Sequence, residues 1–128
     1  MNYLGIDWGK AKIGLATGGD EVKIASSLLI LENNKDWVDR LKKIVEDEEI
    51  DVIIIGKPVS LKGYDSMSQE FDYFVSQLKR LGKQVIFEDE RLSTKMAQGL
   101  MRDFKKTKRA NDDDIAAGII LQNYLDKL

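Results

Sequence analysis

Three apolar segments of this chain end or begin in carboxylates. Tyr3-Leu4-Gly5-Ile6 runs into Asp7 and a Trp8-Gly9 turn, Val85-Ile86-Phe87 runs into Glu88-Asp89-Glu90-Arg91, and Asp113 heads an apolar C-terminal stretch. Brought together, acids so placed would repel by about 4 kcal/mol per pair at roughly 4 Å and an effective dielectric of about 20. A divalent cation removes that repulsion, and Mg²⁺ or Mn²⁺ suits all-oxygen ligation and bridges phosphates. Metal-assisted phosphodiester cleavage needs little else from side chains.

Composition leaves few other chemistries. The chain has 128 residues and no histidine or cysteine. That excludes Ser-His-Asp and Cys-His catalysis, histidine-ligated zinc, thiolate sites and a disulfide framework. A length of 128 residues predicts one domain over 1–128. No apolar run approaches the length of about 20 residues that a membrane span needs. With no signal-peptide pattern at the N-terminus, a cytoplasmic protein with no membrane partner is expected. Net charge is −2, so any nucleic-acid contact must come from a local basic patch.

Spacing weighs the acids unequally. Alternation along a strand puts Tyr3, Gly5 and Asp7 on one face and Leu4, Ile6 and Trp8 on the other. A glycine inside a strand often marks close approach by another group, and Gly5 is such a residue. Ala117, Ile120, Leu121, Tyr124, Leu125 and Leu128 form a helical stripe. Asp113 falls roughly 40° from its centre, Asp114 roughly 60° and Asp112 roughly 140°. Asp112 should face water and Asp113 the sheet, by a thin margin over Asp114. Asp112 and Asp114 also suit the helix dipole, whereas a carboxylate on a buried stripe needs a partner. Among Glu88, Asp89 and Glu90, spacing makes no choice. The segment 102–109 carries Arg102, Lys105, Lys106, Lys108 and Arg109 against one acid, Asp103, and leads into Asn111-Asp112-Asp113. It is either a solvated loop or a phosphate clamp beside the site.

The elements that would position these residues follow from periodicity. Strands are expected at 2–8, 11–17 and 22–31, with a turn at Gly18-Gly19-Asp20. Trp37, Val38, Leu41, Ile44 and Val45 give a helix over 35–49. Val52-Ile53-Ile54-Ile55-Gly56 suits a strand covered on both faces. After a loop holding the only proline, Pro58, a capping box at Ser66 and Gln69 opens a helix carrying Phe71, Phe74, Val75, Leu78 and Leu81. A strand at 84–89, a helix after Ser93-Thr94 reaching Phe104, and a last helix at 112–127 complete the order. Three early strands followed by helix–strand alternation predict an α/β fold. Its mixed five-stranded sheet has three antiparallel strands, then parallel ones, flanked by helices.

With these residues in place, the chain resembles the YqgF/RuvX family, described both as Holliday junction resolvases and as pre-16S rRNA nucleases. Gly5-Ile6-Asp7-x-Gly9-x-x-Lys12-Ile13-Gly14-Leu15-Ala16 resembles the family's first-strand motif, and Gly56-Lys57-Pro58 its Gly-Leu-Pro loop. Asp89-Glu90-Arg91-Leu92-Ser93-Thr94 is similar to a second signature, and Asp113-x-x-Ala116-Ala117 with Leu121-Gln122-x-Tyr124-Leu125 to a third. The resemblance spans nearly the whole chain and implies a ribonuclease H-like fold with Asp7, Glu90 and Asp113 around a divalent metal. It selects Glu90, which spacing does not. Lys57 departs from the usual leucine, and Lys12 stands where arginine is common, losing the planar fork. Asp20 comes one place later than the family's acid and is left out of the site.

The expected protein is thus a metal-dependent nuclease. Asp7 and Asp113 would hold the metal, with Glu90 as third ligand or orienter of the attacking water. Lys12, Lys57, Arg91, Lys105, Lys106, Lys108 and Arg109 would contact nucleic acid. By resemblance the substrate is precursor 16S ribosomal RNA, processed at its 5′ end in ribosome biogenesis. One alternative is a resolvase of branched DNA, which needs two sites and hence a dimer; a monomer or weak homodimer is expected. Another is a nucleic-acid-binding module without turnover. A sugar-kinase or actin-like ATPase also starts with Gly-Ile-Asp-x-Gly, but needs two such domains.

Overall fold

The computed structural model describes residues 1–57, 66–89 and 112–128, apart from the side chains of 66–68, 89 and 112–114. Strands β1 (Asn2–Trp8), β2 (Lys12–Gly19), β3 (Ser26–Glu32), β4 (Val52–Lys57) and β5 (Gln84–Asp89) form one sheet in the order β3-β2-β1-β4-β5. β1 pairs antiparallel with β2, and β2 with β3, whereas β4 runs parallel to both β1 and β5. Helices α1 (Trp37–Asp47), α2 (Ser66–Lys79) and α3 (Asp112–Leu125) flank it. This is the mixed sheet expected from the order of elements. The helix expected after Ser93-Thr94 lies outside the described residues.

Alternation along β1 and β4 feeds two cores. Leu4, Ile6, Trp8, Ile53 and Ile55 pack with Trp37, Leu41, Phe71, Phe74 and Leu78 of α1 and α2. Tyr3, Val52 and Ile54 pack with Ala117, Ile120, Leu121 and Leu125 of α3. Val52 to Ile55 are all buried, as a β-branched strand covered on both faces requires. None of the described helices is long and apolar enough to cross a membrane.

Three local readings are corrected. β2 runs on through Gly18 and Gly19, so the turn falls at 20–22 rather than at Gly18-Gly19-Asp20. β3 begins at Ser26 rather than at residue 22. Val22 and Ile24 alternate like a strand, but Lys23 between them has φ 58°, and both apolar side chains are exposed. A left-handed residue ends the extended run. On α3, Ile115 and Ile119 are buried although they lie off the predicted stripe, while Leu128 is exposed beyond the helix. Burial therefore wraps around the first turns of α3, and the phase argument separates Asp113 from Asp114 less sharply than the stripe alone suggests.

Candidate active site

β1, β4 and β5 are parallel, so their C-terminal ends share one edge of the sheet. Asp7 lies there, half-buried and paired in register with Gly14. Its face is that of Tyr3 and Gly5, the α3 side, while the next residue, Trp8, is buried on the other side against Phe71 and Phe74. The turn that follows is tied down by Asn33, whose Nδ2 donates to the Gly9 carbonyl at 2.8 Å. Asn33 N–H donates to the Ala11 carbonyl at 2.9 Å. The end of β1 is thus held from β3's far end as well as by its own ladder.

Gly5 is the seat of α3. A Cβ there would lie 2.7 Å from Leu121 Cβ and 3.0 Å from the Ala117 carbonyl. One turn later in the helix, Leu125 Cδ1 would lie 2.9 Å from a Cβ at Gly18, the residue that pairs with Tyr3. Successive turns toward the N-terminus of α3 therefore climb β1 from the level of Tyr3 to Gly5 and onward toward Asp7. Residue 113 precedes Ala117 by four residues, about 6 Å of helix. Asp7 follows Gly5 by two residues, about 6.6 Å of strand. Measured from the closer contact, Leu121, residue 113 lies eight residues on, about 12 Å of helix, so α3 begins at or beyond the level of Asp7.

Glu88 stands in the same sheet row as Asp7, because Ile6 pairs with Ile55, Ile55 with Phe87 and Gly56 with Glu88. It is 4% exposed. Its Oε1 accepts from Asn123 Nδ2 at 2.8 Å and forms an ion pair with Lys127 Nζ. This carboxylate is engaged by Asn123 in the last turn of α3 and by Lys127 just beyond the helix. Among the described residues no three Asp, Glu, His or Cys groups gather as a metal site. Glu90, Arg91, Lys105, Lys106, Lys108 and Arg109 lie outside the described residues, as does the carboxylate of Asp113.

The remaining candidates divide between the faces. Lys12 is exposed and shares a face with Gly14, and therefore with Asp7. Lys57 belongs to the face of Ile53 and Ile55, and lines a cavity of about 440 Å³ with Phe71, Ser76, Lys79 and Phe87. Asp20 sits at the opposite end of the sheet, beside the Gly19–Asn2 pair. Its Oδ1 accepts from the Met1 amino group at 3.0 Å. That hydrogen bond lowers the Asp20 pKa and raises that of the amino group. Asp20 thus lies away from the C-terminal ends of β1, β4 and β5. A second cavity, next to the mouth of β1 and lined by Trp8, Lys10 and Tyr73 among others, was not anticipated from sequence. Its lining comes from three elements far apart in the chain, and spacing within one element gives no sign of it.

The profile of the RuvX family, described as Holliday junction resolvase, matches residues 1–127. The chain belongs to the RuvX family. Among sequence relatives of this RuvX-family chain is a protein of Dictyoglomus thermophilum named as a pre-16S rRNA nuclease. It is 38% identical over 133 residues, covering 98% of this chain and 96% of the relative. One of the same name from Chlamydia pneumoniae is 32% identical, covering 98% and 90%. Among solved structures, Thermus thermophilus RuvC in complex with a Holliday junction substrate superposes with a TM-score of 0.66. It shares 11% identity, with 99% of this chain and 95% of that one covered. The fowlpox virus Holliday junction resolvase gives 0.63 at 17% identity, both chains being covered in full. The fold is ribonuclease H-like, as expected, and the family is one of hydrolytic nucleases.

Proposed function

We propose that this RuvX-family protein hydrolyses phosphodiester bonds of nucleic acid with Asp7, Glu90 and Asp113 around one Mg²⁺ or Mn²⁺. The observation that carries the reading is the seating of α3 on Gly5, which directs the helix start toward Asp7. The donor set fits such an ion: with no histidine or cysteine in the chain, only oxygen ligands are on offer. Glu88 is already paired with Lys127, and between Asp89 and Glu90 it is the family resemblance that selects Glu90 for the third role. What a bound ion supplies is a more acidic water and stabilisation of charge on the phosphorus oxygens. Asp7 and Asp113 would hold the ion, Glu90 would complete the ligand set or orient that water, and Lys12, on the face of Asp7, would hold a neighbouring phosphate. Lys57, Arg91 and the cations of 102–109 would bind the backbone farther along.

The favoured substrate is the 5′ end of precursor 16S rRNA, supported by the names of relatives covering nearly the whole chain, and the favoured location is the cytoplasm. The family description supports a second reading, resolution of branched DNA. That reading requires two copies acting on one junction. The test is to incubate the protein with Mg²⁺ or Mn²⁺ and compare precursor rRNA with a four-way DNA junction. Metal-dependent cutting of the rRNA alone is the expected result. Symmetric junction cutting by a dimer would favour the second reading, and binding without any cutting would leave a nucleic-acid-binding module.

A further inference from the structure

A cavity of about 400 Å³ opens beside the mouth of β1, on the face opposite to α3. Trp8, Trp37 and Phe74 contribute to its wall, each less than a tenth exposed, with Trp37 and Phe74 ring centroids 4.4 Å apart. Lys10 and Glu70 line it and are exposed. Tyr73 lines it too, beside Asn33 and Gln69, and is 64% exposed, although the other aromatics of α2, Phe71 and Phe74, are buried at 6% and 2%. Core packing accounts for Phe71 and Phe74 but not for a large ring held at the rim. The volume lies within the range of about 300–1,000 Å³ typical of small-ligand sites.

We propose that this cavity takes one unpaired nucleobase of the strand being cut, stacked on Tyr73, with its phosphate held by Lys10 and its amino edge facing Glu70. The proposal rests on the nuclease reading and specifies the substrate it needs. Three features favour a base. A flat π-face, an anionic phosphate and an amino donor occur together in an adenine, guanine or cytosine nucleotide, and the lining offers an aromatic ring, a cation and a carboxylate to match them. The wall residue Trp8 directly follows Asp7, so a nucleotide lodged here would neighbour the scissile phosphate. Finally, Asp7 and the cavity lie on opposite faces of the sheet. A strand serving both must turn over the edge at Trp8-Gly9, a path open to an unstacked nucleotide and closed to a continuous duplex.

The test uses a short single-stranded RNA carrying 2-aminopurine, walked one position at a time, with EDTA present so that no cutting occurs. Wild type should quench the fluorescence strongly at one position. Tyr73→Ala should lose that quenching and bind roughly tenfold more weakly, the scale of one lost base–aromatic stack. Tyr73→Phe should keep both, Lys10→Ala should weaken binding with a shallower salt dependence, and affinity for a perfect duplex should be unchanged by all three. Cutting of precursor rRNA with Mg²⁺ is measured alongside. If wild type cuts while Tyr73→Ala and Lys10→Ala bind and quench as wild type does, the cavity proposal is overturned and the nuclease reading stands. If wild type neither binds nor cuts RNA or junction DNA, both are overturned.

Discussion

Asp7 and Glu88 occupy one row of the sheet, two strands apart on the face that α3 covers, yet their surroundings differ. Asp7 sits one residue before the end of β1, half-buried on the face that α3 covers, whereas Glu88 is buried against Asn123 and Lys127. Spacing could not separate Glu88 from its neighbours because its partners come from residues 35 and 39 positions away. Asp7, by contrast, stood out as the acid at the mouth of an apolar strand with a glycine two places before it, a pattern that an aspartate stabilising the Trp8-Gly9 turn would share. Two outcomes follow at this scale. Calorimetric titration of Mn²⁺ should show binding to wild type that is lost in both Asp7→Asn and Asp113→Asn, since one carboxylate holds a hydrated divalent ion poorly; wild-type affinity in both variants would refute a shared site. Lys127→Ala should cost about 1–3 kcal/mol in urea unfolding, because among the described residues it leaves the buried carboxylate of Glu88 with Asn123 as its remaining side-chain partner. That exceeds the half kcal/mol or so usual for a surface lysine, and a cost within that smaller range would show that Asn123 suffices.

The last helix and the strand beneath it belong to a larger scale. α3 lies close to β1 and β2 because Gly5 and Gly18 present no Cβ where Leu121, Ala117 and Leu125 come down. The close approach was legible in Gly5 itself, a residue that otherwise weakens a strand. The full burial of α3 was not, since Ile115 and Ile119 lie off the stripe and nothing in the helix's own periodicity says that a second side is covered. The early start expected for β3 failed for a similar reason. Gln122 of α3 accepts from Ala25 N–H and donates to the Lys23 carbonyl, fixing a turn where alternation read a strand. Gly5→Ala tests the seating directly. The added Cβ meets a side-chain Cβ and a backbone carbonyl, neither of which can swing aside, so α3 must shift outward. Overpacking of this kind costs about 1–3 kcal/mol. Turnover should fall by far more than the loss of folded protein explains, because positioning errors of about 1 Å can cost about a hundredfold. Equal losses of activity and of folded fraction would mean that α3 does not set the site.

At the scale of the whole molecule, topology and charge decide how a polyanion is met. The order of elements was sufficient to predict the sheet, because a meander followed by helix–strand alternation admits few arrangements. It also sends the ends of β1, β4 and β5 to one edge, and that edge carries Asp7, Lys57 and Glu88. What the order could not convey is which face each side chain takes relative to the others: Lys12 shares a face with Asp7, while Lys57 lies on the opposite one. With a net charge of −2 the molecule has no general attraction for nucleic acid, so binding depends on where cations concentrate. The densest run is 102–109, directly ahead of α3. Replacing Lys105, Lys106, Lys108 and Arg109 together by glutamine should weaken binding and flatten its salt dependence. Each lost phosphate contact removes about 0.9 from the log–log slope on duplex DNA, or about 0.7 on single strands. Four lost contacts would therefore lower the slope by roughly 3. Turnover at saturating substrate should persist, since contacts equal in ground and transition states set KM rather than kcat. Fluorescence anisotropy against KCl concentration measures the slope, and an unchanged value in the quadruple variant would move the path of the nucleic acid away from this segment, toward Lys12 and the cavity beside Trp8.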